Sequence, residues 1–283
     1  MNEESSTLAD LISQMPDPDE RGMYCTDIDK ERIEKAVAEI HRGGRKSVMA
    51  IIDMLRPPGE GNDAKPHYAL HCLALHVCKL NDAKQRQQFA MAVASQLGGD
   101  RPKAVQRYLA RQLQVAGGRE VVGALGKLLT DEELCEAAAQ ALVAIGDDAA
   151  EQLRGALRKA RGKCRLTVVQ NLGVVRDRKS VRALKRAVRA KNREVRLAAV
   201  WALANIGDPG AVDVLLKTAD AKDGYERIKA TQACLLLAEN LLAAGQRGKA
   251  AEIYTRLRDT RTDPAEQYVR NAAETKLAAM KRR

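Results

Sequence analysis

The chain has 283 residues, a formal net charge of +11 and only 3% aromatic residues. At this length a single globular core nears its practical ceiling, whereas a stack of repeats grows by adding units, and so few aromatics argue against a large pocket for a cofactor or for stacked bases. The amino terminus has no signal-peptide pattern, no apolar run approaches membrane-spanning length, and the six cysteines form no C-x-x-C pair, so the expectation is a cytoplasmic protein with free thiols.

In chain order, helices are expected near 7–15 and 26–41. They form an acidic cap, since residues 1–34 hold ten acids against three bases. The stretch 56–66, with Pro57, Pro58, Gly59, Gly61 and Pro66, reads as the longest loop. Paired helices come next at about 100–116, 119–129, 132–145, 148–160, 163–175, 178–190, 193–206 and 209–219, each an apolar stripe at helical spacing such as Val195, Ala199, Ala202, Leu203 and Ile206. No segment alternates with period two, so no strands are expected. A longer pair spans 226–258, and a last helix starts at Asp263-Pro264-Ala265-Glu266, which has the form of a capping box.

Three of these helices close on the same tail: Leu142–Asp147, Leu172–Asp177 and Leu203–Asp208. Their aspartates are 30 and then 31 residues apart. A fixed period of this size marks stacked hairpins, none of which can bury its apolar face alone. Gly146 and Gly207 suit a left-handed helix end, and Gly117 is expected to close its helix likewise. Asp147 and Asp208 can each cap the next helix, with Pro209 at the first helical position. In the second tail Arg176 replaces the glycine.

The run Val195-Arg196-Leu197-Ala198-Ala199 through Ile206-Gly207-Asp208-Pro209 resembles HEAT repeats of the short, phycobilisome-lyase type. Arg165 holds the phase of Arg196 one repeat earlier, while Cys135 and Gln106 stand there in other units. The resemblance covers roughly residues 40–220 and implies an all-α, right-handed α-solenoid of stacked helical hairpins. Ala238, Gly245, Ala250 and Tyr254 resemble a tetratricopeptide hairpin. The organisation read from this is an acidic cap over 1–41, HEAT-like repeats over 42–220 and a tetratricopeptide-like cap over 221–283, together one continuous solenoid domain.

Charge is concentrated. Residues 154–196 contain sixteen Lys or Arg against Asp177 and Glu194, so this stretch outweighs the whole formal charge and the remainder is slightly acidic. Arg182, Lys185, Arg186 and Arg189 follow i, i+3, i+4, i+7 on one helix face, and Arg154 and Arg158 precede Lys185 and Arg189 by one repeat. Arg161, Lys163 and Arg193 extend the set through the turns. The nine are read as a basic stripe on outer helices that binds an acidic protein partner. The alternatives are sequence-independent nucleic acid binding and a merely solvated face. Arg165 and Arg196 are expected instead to brace neighbouring repeats from the inner helices.

Other chemistry finds little support. His67, His71 and Cys78 lie within about 40° on one helix, yet one helix cannot close a zinc site, and no metal or other cofactor is expected. Gly126-Lys127 lacks the Ser or Thr and the first glycine of a phosphate loop. HEAT-like folds include alkylpurine DNA glycosylases and chromophore lyases, but Trp201, the sole tryptophan, has no companion aromatic in its repeat, and only the fold supports either enzyme. The expectation is a non-catalytic scaffold or adaptor, without a small-molecule substrate and without membrane insertion.

Overall fold

The computed structural model describes residues 7–24, 28–146 and 148–281, and all regular structure among them is helical. The chain divides into two compact units, residues 1–152 and 153–283.

The first unit contains α1 (Leu8–Ser13), α2 (Lys30–Arg42), α3 (Gly44–Met54), α4 (Ala64–Lys79), α5 (Ala83–Ala94), α6 (Lys103–Ala116), α7 (Val122–Leu128, after a 3-10 turn at Arg119–Val121) and α8 (Cys135–Ile145). Helices α2, α4, α6 and α8 pack side by side in that order, and α3, α5 and α7 close hairpins against them. The boundary falls within α9 (Ala149–Leu157). The second unit continues with α10 (Gly162–Val174), α11 (Val181–Ala187), α12 (Arg193–Ile206), α13 (Val212–Ala219), α14 (Gly224–Ala243), α15 (Arg247–Thr260) and α16 (Gln267–Lys281). Here α10, α12 and α14 lie side by side, α11 packs on α12, α13 on α14, and α15 lies between α14 and α16. Each unit is thus an α-solenoid arrangement, with every hairpin burying its stripe against the next.

The apolar spacing becomes core as expected: Val195, Ala199, Ala202, Leu203 and Ile206 are all buried, as are Ala137, Ala138 and Ala139 on α8. Small residues at these crossings let the helix axes approach, and the buried Leu and Val beside them contribute about 1.5–3 kcal/mol each. The tail after α12 obeys its chemistry closely. Gly207 takes the left-handed conformation (φ +72°), Asp208 accepts the Gly210 N–H at 2.8 Å, and Pro209 opens the 3-10 turn that leads into α13. Gly146 also has positive φ (+78°), whereas the expected cap at Asp147 lies outside the described residues.

Several local expectations need correction. Gly117 ends α6 in extended backbone (φ −71°, ψ 161°); its lack of a side chain serves space instead, because a Cβ would lie 2.3 Å from the Leu113 carbonyl oxygen. Arg176 adopts the left-handed tail conformation (φ +49°) without being glycine. Helix α4 starts at Ala64, inside the stretch read as loop, because Pro66 falls in its first turn, where the missing N–H has no intrahelical acceptor to lose. At the C-terminal end, Asp263 caps the Ala265 N–H at 2.8 Å, but Glu266 turns to Arg227 (2.6 Å), so the reciprocal capping box does not form. The expected start of α2 at 26 moves to Lys30, where Asp29 accepts the Arg32 N–H; residues 25–27 lie outside the described set.

Candidate interaction surface

Several cations in this chain are answered by an acid about one repeat further on. Arg86 meets Glu120 (2.7 Å), Lys103 meets Asp131 (2.6 Å) and Arg119 meets Asp148 (2.8 Å) in the first unit; Arg193 meets Asp223 (3.1 Å) and Arg227 meets Glu266 (2.6 Å) in the second. Two of these pairs are partly buried and shift their carboxyls. Burial pushes Glu120 up, and the Arg86 hydrogen bond and charge outweigh it, so Glu120 lies below the usual glutamate value; Asp131 behaves likewise, with Lys103 overcoming burial.

Arg196 is such a brace, as its phase implies. Its guanidinium pairs with Glu226 on α14 and donates to the Ala190 and Lys191 carbonyls, each at 2.9 Å. Gln106, at the same phase in the first unit, accepts the Gly98 N–H and donates to the Gly99 and Arg101 carbonyls, so an amide secures the preceding turn. Arg165 departs from expectation. Thirty-one residues before Glu226 stands Val195, and the Arg165 side chain has no ionic or hydrogen-bond partner among the described residues.

The same shortage of acids shapes the basic stripe. Between 154 and 196 only Asp177 and Glu194 are acidic, so most cations there have no carboxylate to meet. Arg158, Arg182, Arg186 and Arg189 are exposed and Lys185 is half-buried over the Pro209–Gly210 turn; none of the five has a carboxylate partner among the described residues. The other four predicted residues are committed elsewhere. Arg154 is held at 2.6 Å by Asp177, which is only 8% exposed, and so ties α9 to the turn before α11. Arg161 donates to the Arg158, Lys159 and Ala160 carbonyls and closes the C-terminal end of α9. Lys163 already makes a polar contact, and Arg193 pairs with Asp223 while lying 4.7 Å over the Tyr225 ring. Sequence phase could not tell that Arg154 and Arg161 would turn onto the protein.

Trp201 does have a neighbouring aromatic, supplied by the next hairpin. Trp201 of α12 and Tyr225 of α14 line one groove in the second unit together with Leu197 and Leu236. Their separation of 24 residues matches no single repeat, which is why the pairing was not visible along the chain.

The histidine and cysteine set on α4 is divided among separate partners. His67 lies 3.0 Å from the Asp63 carboxylate, His71 lies 3.1 Å from the Gln112 side-chain oxygen, and Cys78 Sγ donates to the Val115 carbonyl at 3.5 Å. Among the described residues no three such side chains gather as a metal site, and no helix is long and apolar enough to cross a membrane.

Residues 151–234 match the family model for HEAT repeats. Among solved structures, the chain is similar to the complex of CpcE and CpcF of phycocyanin lyase from Nostoc sp. PCC7120, at 19% identity over 81% of this chain and 94% of that one, with a TM-score of 0.42. It is also similar to an engineered protein at 20% identity over 97% of this chain and 78% of that one (TM-score 0.46), and to a second at 21% identity over 94% of each (TM-score 0.28). Superpositions this loose carry nothing about function. No curated protein matches the chain by sequence.

Proposed function

We propose that this HEAT-repeat chain is a binding scaffold without chemistry of its own, and that it docks an acidic protein partner through Arg158, Arg182, Lys185, Arg186 and Arg189. The observation that carries the reading is a local shortage of acids: several cations elsewhere meet an acid about one repeat on, whereas these five, in a stretch with only two acids, meet none among the described residues. Uncompensated guanidinium groups on α11 and in the turns that follow α9 and α11 suit carboxylates, since Arg presents a planar fork of donors. Their summed field steers acidic partners and raises the rate of encounter. The free thiols at Cys72, Cys78, Cys135 and Cys234 fit a reducing, cytoplasmic setting.

The test is binding of labelled polyglutamate and of a 20-base-pair DNA duplex to the wild-type chain and to the triple variant Arg182→Glu, Arg186→Glu, Arg189→Glu. Polyglutamate should bind the wild type at about 50 mM salt and be released by the reversal, with helicity unchanged because the three side chains are exposed. Binding of duplex alone, falling log-linearly with salt, would replace the protein partner by nucleic acid. Equal binding by wild type and variant would remove the stripe from function.

A further inference from the structure

A different surface of the second unit has the character of a peptide site. Between α12 and α14 runs a groove of about 330 Å³, lined by Leu197 and Trp201 on one side and Tyr225, Lys229 and Leu236 on the other, with Glu194 at one edge. Trp201 is 39% exposed and Tyr225 51% exposed. An apolar ring left in water has a cost, and this one is held in place. Gly173 on α10 carries no side chain, and a Cβ there would lie 2.7 Å from the indole Cζ3, so the ring is seated on backbone; Asn205 Nδ2 donates to the Gly173 carbonyl at 2.8 Å and fixes the crossing beside it. Tyr225 is flanked by two cations, Arg193 at 4.7 Å and Lys229 at 5.6 Å. Lys229 has no carboxylate partner among the described residues.

We infer that this groove receives a segment of an acidic protein, with one bulky apolar side chain between Trp201 and the two leucines and carboxylates against Lys229. Charge complementarity chooses the occupant. Residues 153–283 hold 30 Lys or Arg against 13 Asp or Glu, so an acidic segment is drawn to the unit. The aliphatic walls suit an apolar side chain, and fixed Trp and Tyr rings beside a cation are the residue types that dominate binding hot spots. Glu194 argues against nucleic acid, because a strand following the groove would bring phosphates onto a carboxylate. A peptide instead offers N–H groups to that acid. The groove residues are distinct from the five cations of the α9–α11 stripe, while the unit's positive charge comes mostly from residues 154–196, so the choice of an acidic occupant rests in part on that stretch.

The sole tryptophan makes the test direct, because emission excited beyond the tyrosine absorption band reports this groove alone. The probes are a synthetic peptide with a central Leu-Phe pair flanked by glutamates, the same peptide flanked by lysines, and oligothymidylate. The glutamate-flanked peptide should blue-shift Trp201 emission saturably below about 1 mM, at least about tenfold more tightly than its lysine counterpart. Lys229→Glu should reverse that order, and Tyr225→Ala should weaken binding of the labelled glutamate peptide, both with unchanged circular dichroism. The triple reversal at Arg182, Arg186 and Arg189 should leave the blue shift in place, which separates failure of the stripe from failure of the groove. The inference is overturned by no saturable shift, by equal response to both peptides, by a response to oligothymidylate alone, or by a shift that tracks protein concentration together with a dimer in sedimentation.

Discussion

Replacing Gly173 with alanine sets two physical effects of opposite sign against each other. Within a helix, alanine in place of glycine is favourable by about 1 kcal/mol. At this position, however, the added Cβ would lie 2.7 Å from the Ala202 Cα, 2.7 Å from the Trp201 Cζ3 and 2.8 Å from the Ala202 Cβ. One of those atoms is backbone, so rotamer changes cannot relieve the contact, and α10 and α12 must separate. Overpacking of this kind costs about 3 kcal/mol at the upper end of its usual range, leaving a net loss of about 2 kcal/mol. For a unit of this size that corresponds to a midpoint lowered by about 4–8 °C. Gly155, in α9 of the same unit, provides the control: nothing lies within 4 Å of its would-be Cβ, so Gly155→Ala should raise the midpoint by about 2–4 °C. Thermal melts followed by circular dichroism, with Trp201 emission as a local reporter, measure both variants. Gly173→Ala with a raised midpoint and unaltered emission would refute the close crossing of α10 and α12.

Arg196→Ala removes the Glu226 pair and two carbonyl contacts and should lower stability by about 2 kcal/mol in urea titrations, whereas Arg189→Ala, with no partner to lose among the described residues, should stay within about 0.5 kcal/mol. Glu120 lies below the ordinary glutamate value of 4.5, so its contribution is fully present above that value and is lost as the pH falls through the lower, folded one. Urea midpoints measured from pH 7 to pH 3 should therefore drop on the acid side, and Glu120→Gln should flatten that drop; an identical acid limb in the variant would contradict the assignment. Among the described thiols, Cys78 should react first with a disulfide reagent, at a rate that climbs above neutral pH because burial pushes its thiol up. Buried Cys135, Cys164 and Cys234, the last pushed up to about 12, should react only on unfolding, which peptide mapping of the labelled chain would show.

Much of the fold was legible along the chain because its determinants are local. Apolar residues at helical spacing mark which face each helix buries, and Gly207, Asp208 and Pro209 stop one helix and start the next using groups within a few residues of one another. A repeat then copies the same solution, so the neighbour against which each stripe packs is known once the period is known. Departures arose where one position could serve two ends: Pro66 reads as a breaker yet fits a first turn, and Glu266 reads as a cap yet finds Arg227 on another helix.

The interaction surface was legible only as composition. Sequence alone places sixteen cations within 43 residues, but whether a guanidinium faces solvent depends on the acid or carbonyl that the next turn brings within reach. Arg154 and Arg158 are one helical turn apart; the first is taken by buried Asp177 and the second is free among the described residues. The groove of Trp201 and Tyr225 belongs wholly to tertiary structure, since it forms from two hairpins whose separation along the chain has no repeat register. Helix formation depends on groups a few residues apart and is therefore written in order along the chain, whereas the availability of a charge or a ring depends on what packs beside it, which only the stacked helices decide.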